Sequence, residues 1–172
     1  ASGASSFTVS TNAQSGGIRT IIGGDANDTL NATGYTTGMT LLGGAGNDSM
    51  GVSNTTILAQ SSIVGGDGTD TLFFSTAALS VTDSVFGGVS TTEVLKTANG
   101  NNLVVLGANA QAAGIRTLIG GTGIDTFSAA AYSAGVMFLN ADATDSLVGG
   151  AGTDTISRTS NFDLATSSGI EV

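Results

Sequence analysis

The chain has 172 residues, 4 basic against 13 acidic side chains, a net charge of −9 and a pI near 4.1. Nucleic acid and anionic membrane surfaces are therefore not expected partners, since both repel an acidic protein. The chain contains no His and no Cys, which excludes disulfides and removes common catalytic bases and nucleophiles, so we expect no enzymatic activity. Because 40% of the residues are hydrophobic and only 10% are charged, the apolar surface suffices for a core.

A nine-residue pattern recurs along the chain. It runs apolar, Gly-Gly, a short stretch of small residues, Asp, Thr or Ser, and apolar again. The recognisable copies are IGGDANDTL at 22–30, LGGAGNDSM at 42–50, GGDGTDTLF at 65–73, IGGTGIDTF at 119–127 and VGGAGTDTI at 148–156. A weaker copy, LNADATDSL, occupies 139–147, and Phe86–Val89 keeps the two glycines without an Asp behind them.

The residue types in this pattern suit a hard cation. Glycine permits the positive φ that turns backbone carbonyls inward, and each Asp adds a charged oxygen at a fixed distance from the turn. Ca²⁺ accepts six to eight such oxygens. The alternative is that these are ordinary Gly/Asp turns of an all-β protein that binds no metal.

The nonapeptide resembles the repeats-in-toxin (RTX) motif, as found in bacterial S-layer proteins and large secreted adhesins. The resemblance implies an all-β fold, a parallel β-roll or β-solenoid, with Ca²⁺ held between Gly/Asp-rich turns of successive coils on one edge. It also implies about three to five ions per chain. Positions are counted here from the first glycine of each copy. The implied ligands are the acids at the sixth position, some acids at the third position and the carbonyls of the first glycine: Asp28, Asp48, Asp70, Asp125, Asp145 and Asp154; Asp25, Asp67 and Asp142; Gly23, Gly43, Gly65, Gly120 and Gly149.

The spacing of the turns predicts which of them share an ion. We expect sites between the turns at 23 and 43 and between those at 43 and 65. A third site pairs the turn at 120 with residues 140–142. The turn at 149 has no visible partner, and at the turn near 87 either Asp83 or Glu93 could replace the missing Asp.

Short apolar or alternating runs bounded by Gly, Asn and Ser predict the strands. These runs are 29–31, 39–42, 57–58, 62–64, 71–74, 103–106, 117–119 and 136–139. Plain turns at 32–38, 51–56 and 129–135 are expected on the opposite edge. At roughly 20 residues per coil, the chain predicts about eight coils stacked at a strand spacing of about 4.8 Å, with no helix of useful length.

The two halves of the chain resemble each other at an offset of 97 residues, where Asn12–Thr20 matches Asn109–Thr117. We therefore predict a first β-roll unit at 1–94 and a second, duplicated unit at 95–172. Together they form one elongated solenoid, which we expect to be a piece of a larger protein.

Two repeated side-chain pairs leave alternatives open. Arg19 and Arg116 either mark a contact surface or, as we expect, point outward and pair with a neighbouring Asp. Tyr35 and Tyr132 either form a glycan-contact edge or, as we expect, cover apolar surface at a turn.

These features favour a calcium-binding structural or adhesive module of a secreted bacterial surface protein. The expected location is extracellular or at the cell surface. The expected partners are Ca²⁺, flanking domains of the same polypeptide, and other surface-protein copies or cell-surface glycans. No apolar run is long enough to span a bilayer. The alternatives are an accessory roll that aids secretion and folding of a neighbouring enzyme or toxin domain, and an ice-binding roll, which would need a flat Thr ladder on the plain edge.

Overall fold

The computed structural model describes residues 3–142, 144–158 and 169–170. Within them the chain winds through short strands joined by turns and small helices. The strands are β1 (Ser6–Thr8), β2 (Thr20–Gly24), β3 (Thr29–Asn31), β4 (Thr40–Ala45), β5 (Ser49–Val52), β6 (Ser62–Asp67), β7 (Thr71–Phe74), β8 (Ser80–Val81), β9 (Val89–Ser90), β10 (Val94–Lys96), β11 (Leu103–Val105), β12 (Thr117–Ile119), β13 (Thr126–Ser128), β14 (Met137–Ala141), β15 (Ser146–Val148) and β16 (Thr155–Arg158). The helices are α1 (Thr11–Ser15), α2 (Thr55–Leu58), α3 (Ala108–Ala113) and a 3₁₀ helix at Asp83–Gly88.

The strands form three parallel sheets that run along the length of the solenoid. Sheet A has eight strands in the order β1-β3-β5-β7-β10-β12-β14-β16. Sheet B contains β2-β4-β6-β9, and sheet C contains β8-β11-β13-β15. Each strand pairs in parallel with strands one coil away. The predicted parallel β-roll of about eight coils is confirmed.

The core is a column of apolar side chains that point inward from every coil. Alternation along each strand sends every second residue inside. In sheet A the register stacks one fully buried residue per coil over six coils: Leu30, Met50, Leu72, Leu95, Leu118 and Phe138. Burial of each such side chain stabilises the fold by about 1.5–3 kcal/mol, so the coils are held to their neighbours mainly through this column.

Halfway along the solenoid the chain stops adding strands to sheet B and begins to add strands to sheet C. In the N-terminal half it passes from sheet B round a Gly/Asp turn into sheet A. The coil that contains β7, β8, β9 and β10 visits sheets A, C and B in turn. From there the chain passes from sheet A round a Gly/Asp turn into sheet C. The Gly/Asp turns therefore lie on more than one edge of the solenoid.

One predicted strand is a helix. Ile57 and Leu58, predicted as a strand, belong to α2 and are buried. The Asn54 side chain caps this helix by accepting the Ile57 backbone N–H at 3.1 Å. An apolar pair alone does not distinguish a strand from a helical turn. Here the Asn54 cap favours the helix. The remaining predicted strands coincide with observed strands to within a few residues.

The two repeated tyrosines lie inside the solenoid. Tyr35 and Tyr132 are each 1% exposed. Their hydroxyl groups donate to the carbonyls of Ile18 at 2.9 Å and Ile115 at 3.0 Å. The prediction that they cover apolar surface is confirmed, and a glycan-contact edge built on them is wrong, because neither ring reaches the surface.

The two repeated arginines bind backbone rather than acid. Arg19 donates to the carbonyls of Gln14 and Ile18, and Arg116 donates to the Ile115 carbonyl at 2.7 Å. Arg116 also lies 5.8 Å from the centroid of the Tyr132 ring. Among the residues that the structure describes, neither arginine pairs with an Asp, so the predicted pairing is wrong there.

Equivalent residues of the two halves make equivalent bonds. The Gln14 amide oxygen accepts the Thr36 N–H at 2.9 Å, and the Gln111 amide oxygen accepts the Ser133 N–H at 3.0 Å. β1 and β3 nevertheless lie in sheet A, whereas β11 and β13 lie in sheet C. The division at 94 and 95 stays a prediction, and residues 1–2, 143, 159–168 and 171–172 of the two units lie outside the described residues.

Candidate metal centre

The Gly/Asp turns stack on each other from coil to coil. The turns at 23–28, 43–48 and 65–70 join sheet B to sheet A in three successive coils. The turns at 120–125 and 140–145 join sheet A to sheet C in two successive coils. The structure therefore brings together the three turn pairs for which the sequence predicted shared ions.

A ladder of carboxylates runs through the first stack. Each Asp turns one oxygen, Oδ1, toward the preceding coil. There it accepts a backbone N–H: Asp28 from Ser5 at 2.6 Å, Asp48 from Asp28 at 2.7 Å, and Asp70 from Asp48 at 2.7 Å. The second stack repeats the arrangement, with Asp125 accepting from Asn102 and Asp145 accepting from Asp125. These bonds fix the side chains by charge-assisted hydrogen bonding.

The second oxygen of three of these acids has no partner. Oδ2 of Asp48, Asp70 and Asp125 is buried and accepts no hydrogen bond, and the residues are 2%, 0% and 0% exposed. Leaving a buried charged oxygen unpaired costs more than the 1–3 kcal/mol typical of a neutral group. An arrangement repeated in three coils at this cost indicates that a cation completes it.

The space beside each unpaired oxygen is kept open by glycine. A Cβ built on Gly43 would overlap Asp48 Oδ2 and the carbonyl oxygen of Gly65 in the next coil. A Cβ on Gly23 would likewise meet Asp28 Oδ2 and the Gly43 carbonyl. Each cradle thus brings together one carboxylate oxygen and one carbonyl oxygen from adjacent coils, and oxygen ligands of both types suit Ca²⁺.

Positive φ at the following glycines shapes the turns. Gly44 and Gly66 have φ of 118° and 117°, and Gly46 and Gly68 have φ of 114° and 133°. These values lie in a region that residues with a Cβ rarely adopt. The alternating glycines of the motif are therefore required by the backbone path of these turns.

Burial and neighbouring negative charge oppose ionisation of the acids at the cradles. Burial raises the pKa of Asp48, against the lowering effect of its hydrogen bond from Asp28, and the Asp28 charge raises it further. Burial also raises the pKa of Asp70, to which the charges of Asp48 and Glu93 add. A divalent cation between the turns would reverse this penalty by favouring the charged forms.

The sixth-position acids of the turns at 140–145 and 149–154 differ from these in that their Oδ2 atoms accept hydrogen bonds. Asp145 Oδ2 accepts the Asp142 N–H at 2.9 Å, and Asp154 Oδ2 accepts the Gly150 N–H at 2.8 Å. Both oxygens of each of these acids are therefore engaged by backbone N–H groups. Burial raises the pKa of Asp145, whereas hydrogen bonds from Thr144 lower the pKa of Asp142.

The turn at 149 has neighbours on both sides. Gly149 lies directly against the Gly169 carbonyl, and the Ala151 N–H donates to the Tyr132 carbonyl at 2.9 Å. The expectation that this turn lacks a partner in the chain is wrong, because the backbone carbonyl of Gly169 lies against Gly149. At the third motif position, Asp25 and Asp67 are exposed on the outside of their turns.

Carboxylates do not cluster at these turns. Among the described residues, no three His, Cys, Asp or Glu side chains converge as a metal-binding group. A cation at the cradles would therefore be held by one carboxylate together with several backbone carbonyls, which is the donor set that the glycines expose. The ligand assignments of the sequence prediction stay predictions.

The sequence motif misses one turn of the stack. Glu93 Oε2 accepts the Asp70 N–H at 2.9 Å and so continues the carboxylate ladder. Asp83, the other candidate, accepts the N–H groups of Gly107, Asn109 and Ala110 at the start of α3. The two glycines at 87 and 88 end the 3₁₀ helix before β9 and are not part of a Gly/Asp turn.

Comparison with known proteins agrees with this geometry. Residues 20–34, 40–50, 61–75 and 141–158 match the family described as the RTX calcium-binding nonapeptide repeat (4 copies). Searches of curated proteins and of solved structures gave no significant match. No helix in the described part of the chain has the length and apolar character needed to cross a bilayer. The chain thus carries RTX-type calcium-binding nonapeptide repeats on a parallel β-roll.

Proposed function

We propose that this calcium-binding β-roll is a structural or adhesive module of a secreted bacterial surface protein, and that it becomes rigid when it binds extracellular Ca²⁺. The observation that carries the proposal is the set of buried, unpaired Oδ2 atoms on Asp48, Asp70 and Asp125. Without a cation these buried, unpaired oxygens lower the stability of the fold, and with a bound cation they serve as its ligands.

The cradles link calcium binding to folding. Asp48 Oδ2 and the Gly65 carbonyl come from different coils and meet only when the coils are stacked. An ion held by both binds the folded chain and not the unfolded one, so its binding free energy adds to stability. One site at a free Ca²⁺ concentration of 100 times its Kd adds about 2.7 kcal/mol.

The chemistry of the chain supports a location outside the cell. It has no Cys, so calcium takes the stabilising role that disulfides have in many extracellular proteins. Extracellular Ca²⁺ is plentiful, whereas cytosolic Ca²⁺ is kept low. The roll would therefore stay loose before export and become rigid afterwards.

An exposed face of sheet B supports a role in contacts. The register aligns a hydroxyl row of Thr20, Thr40 and Ser62 beside an aliphatic row of Ile22, Leu42 and Val64. Ile22 is 61% exposed. Leu42 and Val64 are half-buried, so the aliphatic row is partly exposed. Partly exposed apolar surface favours contact with another molecule, and we propose neighbouring copies of the surface protein as that partner.

A calcium titration of the metal-stripped chain tests the proposed function. Far-UV circular dichroism reports the β structure and isothermal calorimetry counts the ions, with Mg²⁺ as the control ion because it accepts irregular carbonyl sites poorly. We expect a cooperative gain of β signal with at least three Ca²⁺ per chain. No heat and an unchanged spectrum at millimolar Ca²⁺ would contradict the proposal.

The surface location needs a separate experiment. Immunolabelling of intact producing cells, with and without a calcium chelator, should stain the surface in calcium. Staining only after the cells are permeabilised would refute the surface location and leave the calcium-binding roll intact.

A further inference from the structure

We propose a further calcium site between the turn at 65–70 and the turn at Ser90–Glu93, which carries no nonapeptide motif. Its ligands would include Asp70 Oδ2 and the Thr91 carbonyl, with the Glu93 carboxylate beside them. The proposal rests on the proposed function, since it extends the same stack of calcium turns by one coil.

The strand register places Thr91 where the preceding coils have a motif glycine. Leu42 pairs with Val64, so Gly43 and Gly65 follow as equivalents. Val64 in turn pairs with Ser90, which sets Thr91 opposite Gly65. A Cβ built on Gly65 would overlap the Thr91 carbonyl, as one on Gly43 would overlap the Gly65 carbonyl.

The carboxylate at this position is equivalent to that of the preceding site. Asp70 is 0% exposed and its Oδ2 is buried without a partner, as is Oδ2 of Asp48 one coil earlier. The same cradle therefore exists on both sides of the turn at 65–70. If a cation completes the cradle at Asp48, the same reasoning requires one at Asp70.

Glu93 replaces the missing Asp through its longer side chain. The motif turn takes five steps from Gly65 to Asp70, whereas this turn takes two steps from Thr91 to Glu93. The additional methylene of Glu lets Oε2 accept the Asp70 N–H at 2.9 Å despite the shorter turn. The ladder and its negative charge thus continue where the sequence motif has ended.

The backbone of this turn is held in an unusual conformation. Thr91 has φ of 45°, which is rare for a β-branched residue. Its hydroxyl accepts the Gly66 N–H at 2.9 Å and fixes it against the preceding turn. An ion here would join the coil that contains β6 to the coil that contains β9, in which the chain crosses to sheet C.

Calorimetric counting of Ca²⁺ on the whole chain tests the site. Glu93→Gln keeps an oxygen acceptor for the Asp70 N–H and removes the charge, and Gly65→Ala fills the cradle. Asp83→Asn is the matched control, because it removes one charge from the same coil away from the turn. We expect Glu93→Gln to weaken one site about tenfold and Gly65→Ala to lose one ion, with unchanged counts for Asp83→Asn.

The outcomes separate this site from the proposed function. If the unmodified chain binds calcium and both Glu93→Gln and Gly65→Ala bind the same number of ions with the same affinities, this site is refuted and the proposed function stands. If Gly65→Ala loses its β signal, the calcium count and affinities of Glu93→Gln alone test the site. If the unmodified chain binds no calcium, both proposals are wrong.

Discussion

Replacement of Asp48 by Asn should act in opposite directions with and without calcium. In the metal-free chain, Asp48 Oδ2 is buried and unpaired while Oδ1 accepts the Asp28 N–H at 2.7 Å. Asn keeps the accepting oxygen, removes the buried charge and places an amide N–H₂ beside the Gly65 carbonyl at the edge of the cradle.

The size of the stability change is worked out separately for the metal-free and the calcium-bound chain. Relief of an unpaired buried polar oxygen is worth about 1–3 kcal/mol, so metal-free Asp48→Asn should be more stable than the unmodified chain by about 1–2 kcal/mol. With calcium, the variant lacks the contribution of one ion, about 2.7 kcal/mol at 100 times Kd. With calcium the unmodified chain should therefore be the more stable of the two, by about 0.7–1.7 kcal/mol.

Urea denaturation followed by far-UV circular dichroism, in metal-free buffer and at saturating Ca²⁺, measures both effects. In metal-free buffer the matched control is Asp67→Asn, which removes the same charge from an exposed position and should change stability by less than about 0.5 kcal/mol. If calcium stabilises Asp48→Asn as much as the unmodified chain, Asp48 is not a calcium ligand. A metal-free variant less stable than the unmodified chain would refute the expected gain in metal-free stability.

Three further changes probe the turns and the core. Gly43→Ala should cost about 2–3 kcal/mol, because its Cβ would overlap the cradle, whereas Gly87→Ala meets no atom within 4 Å and should be neutral; equal thermal shifts would contradict this. The raised pKa values of Asp48 and Asp70 mean that folding of the metal-free chain takes up protons. The stability due to these two acids is full below the usual Asp pKa near 3.8 and is lost as pH rises through their raised values. Urea midpoints between pH 3 and pH 7 should therefore fall more steeply for the unmodified chain than for Asp48→Asn, and equal slopes would oppose the assignment. Tyr132→Phe removes a buried hydrogen bond of 3.0 Å and should cost about 1 kcal/mol in calorimetric melting, so an unchanged melting temperature would show that the bond contributes nothing.

The parts of the fold that the sequence predicts are those set by local chemistry. Gly-Gly followed by Asp specifies a tight turn, with positive φ at Gly44 and Gly66, and the apolar residue behind the Asp lies in the next strand, as at Leu30 and Leu72. The stacking of the turns at 23, 43 and 65 follows from their near-equal spacing. The parallel sheets are a consequence of winding the chain in one direction.

The features that the sequence does not predict depend on contacts between coils. The change from sheet B to sheet C occurs through the short strands β8 and β9, and no local pattern marks which face a two-residue strand joins. Glu93 enters the ladder only because the register sets it beside Asp70. The sequence does place Glu93 one coil beyond the last motif of the first half, but Asp83 was an equal candidate to replace the missing Asp. Only the fold distinguishes them, because Glu93 accepts the Asp70 N–H whereas Asp83 accepts N–H groups at the start of α3.

The most direct test of calcium binding at the cradles is anomalous diffraction from crystals grown in Ca²⁺ and soaked with Tb³⁺, an oxygen-preferring ion with a strong anomalous signal. We expect anomalous peaks between successive coils beside Oδ2 of Asp48, Asp70 and Asp125, each close to the first glycine of its turn. Crystals that diffract well but show no peak at any of these three oxygens, with the carboxylates in the same positions, would contradict calcium binding at the cradles.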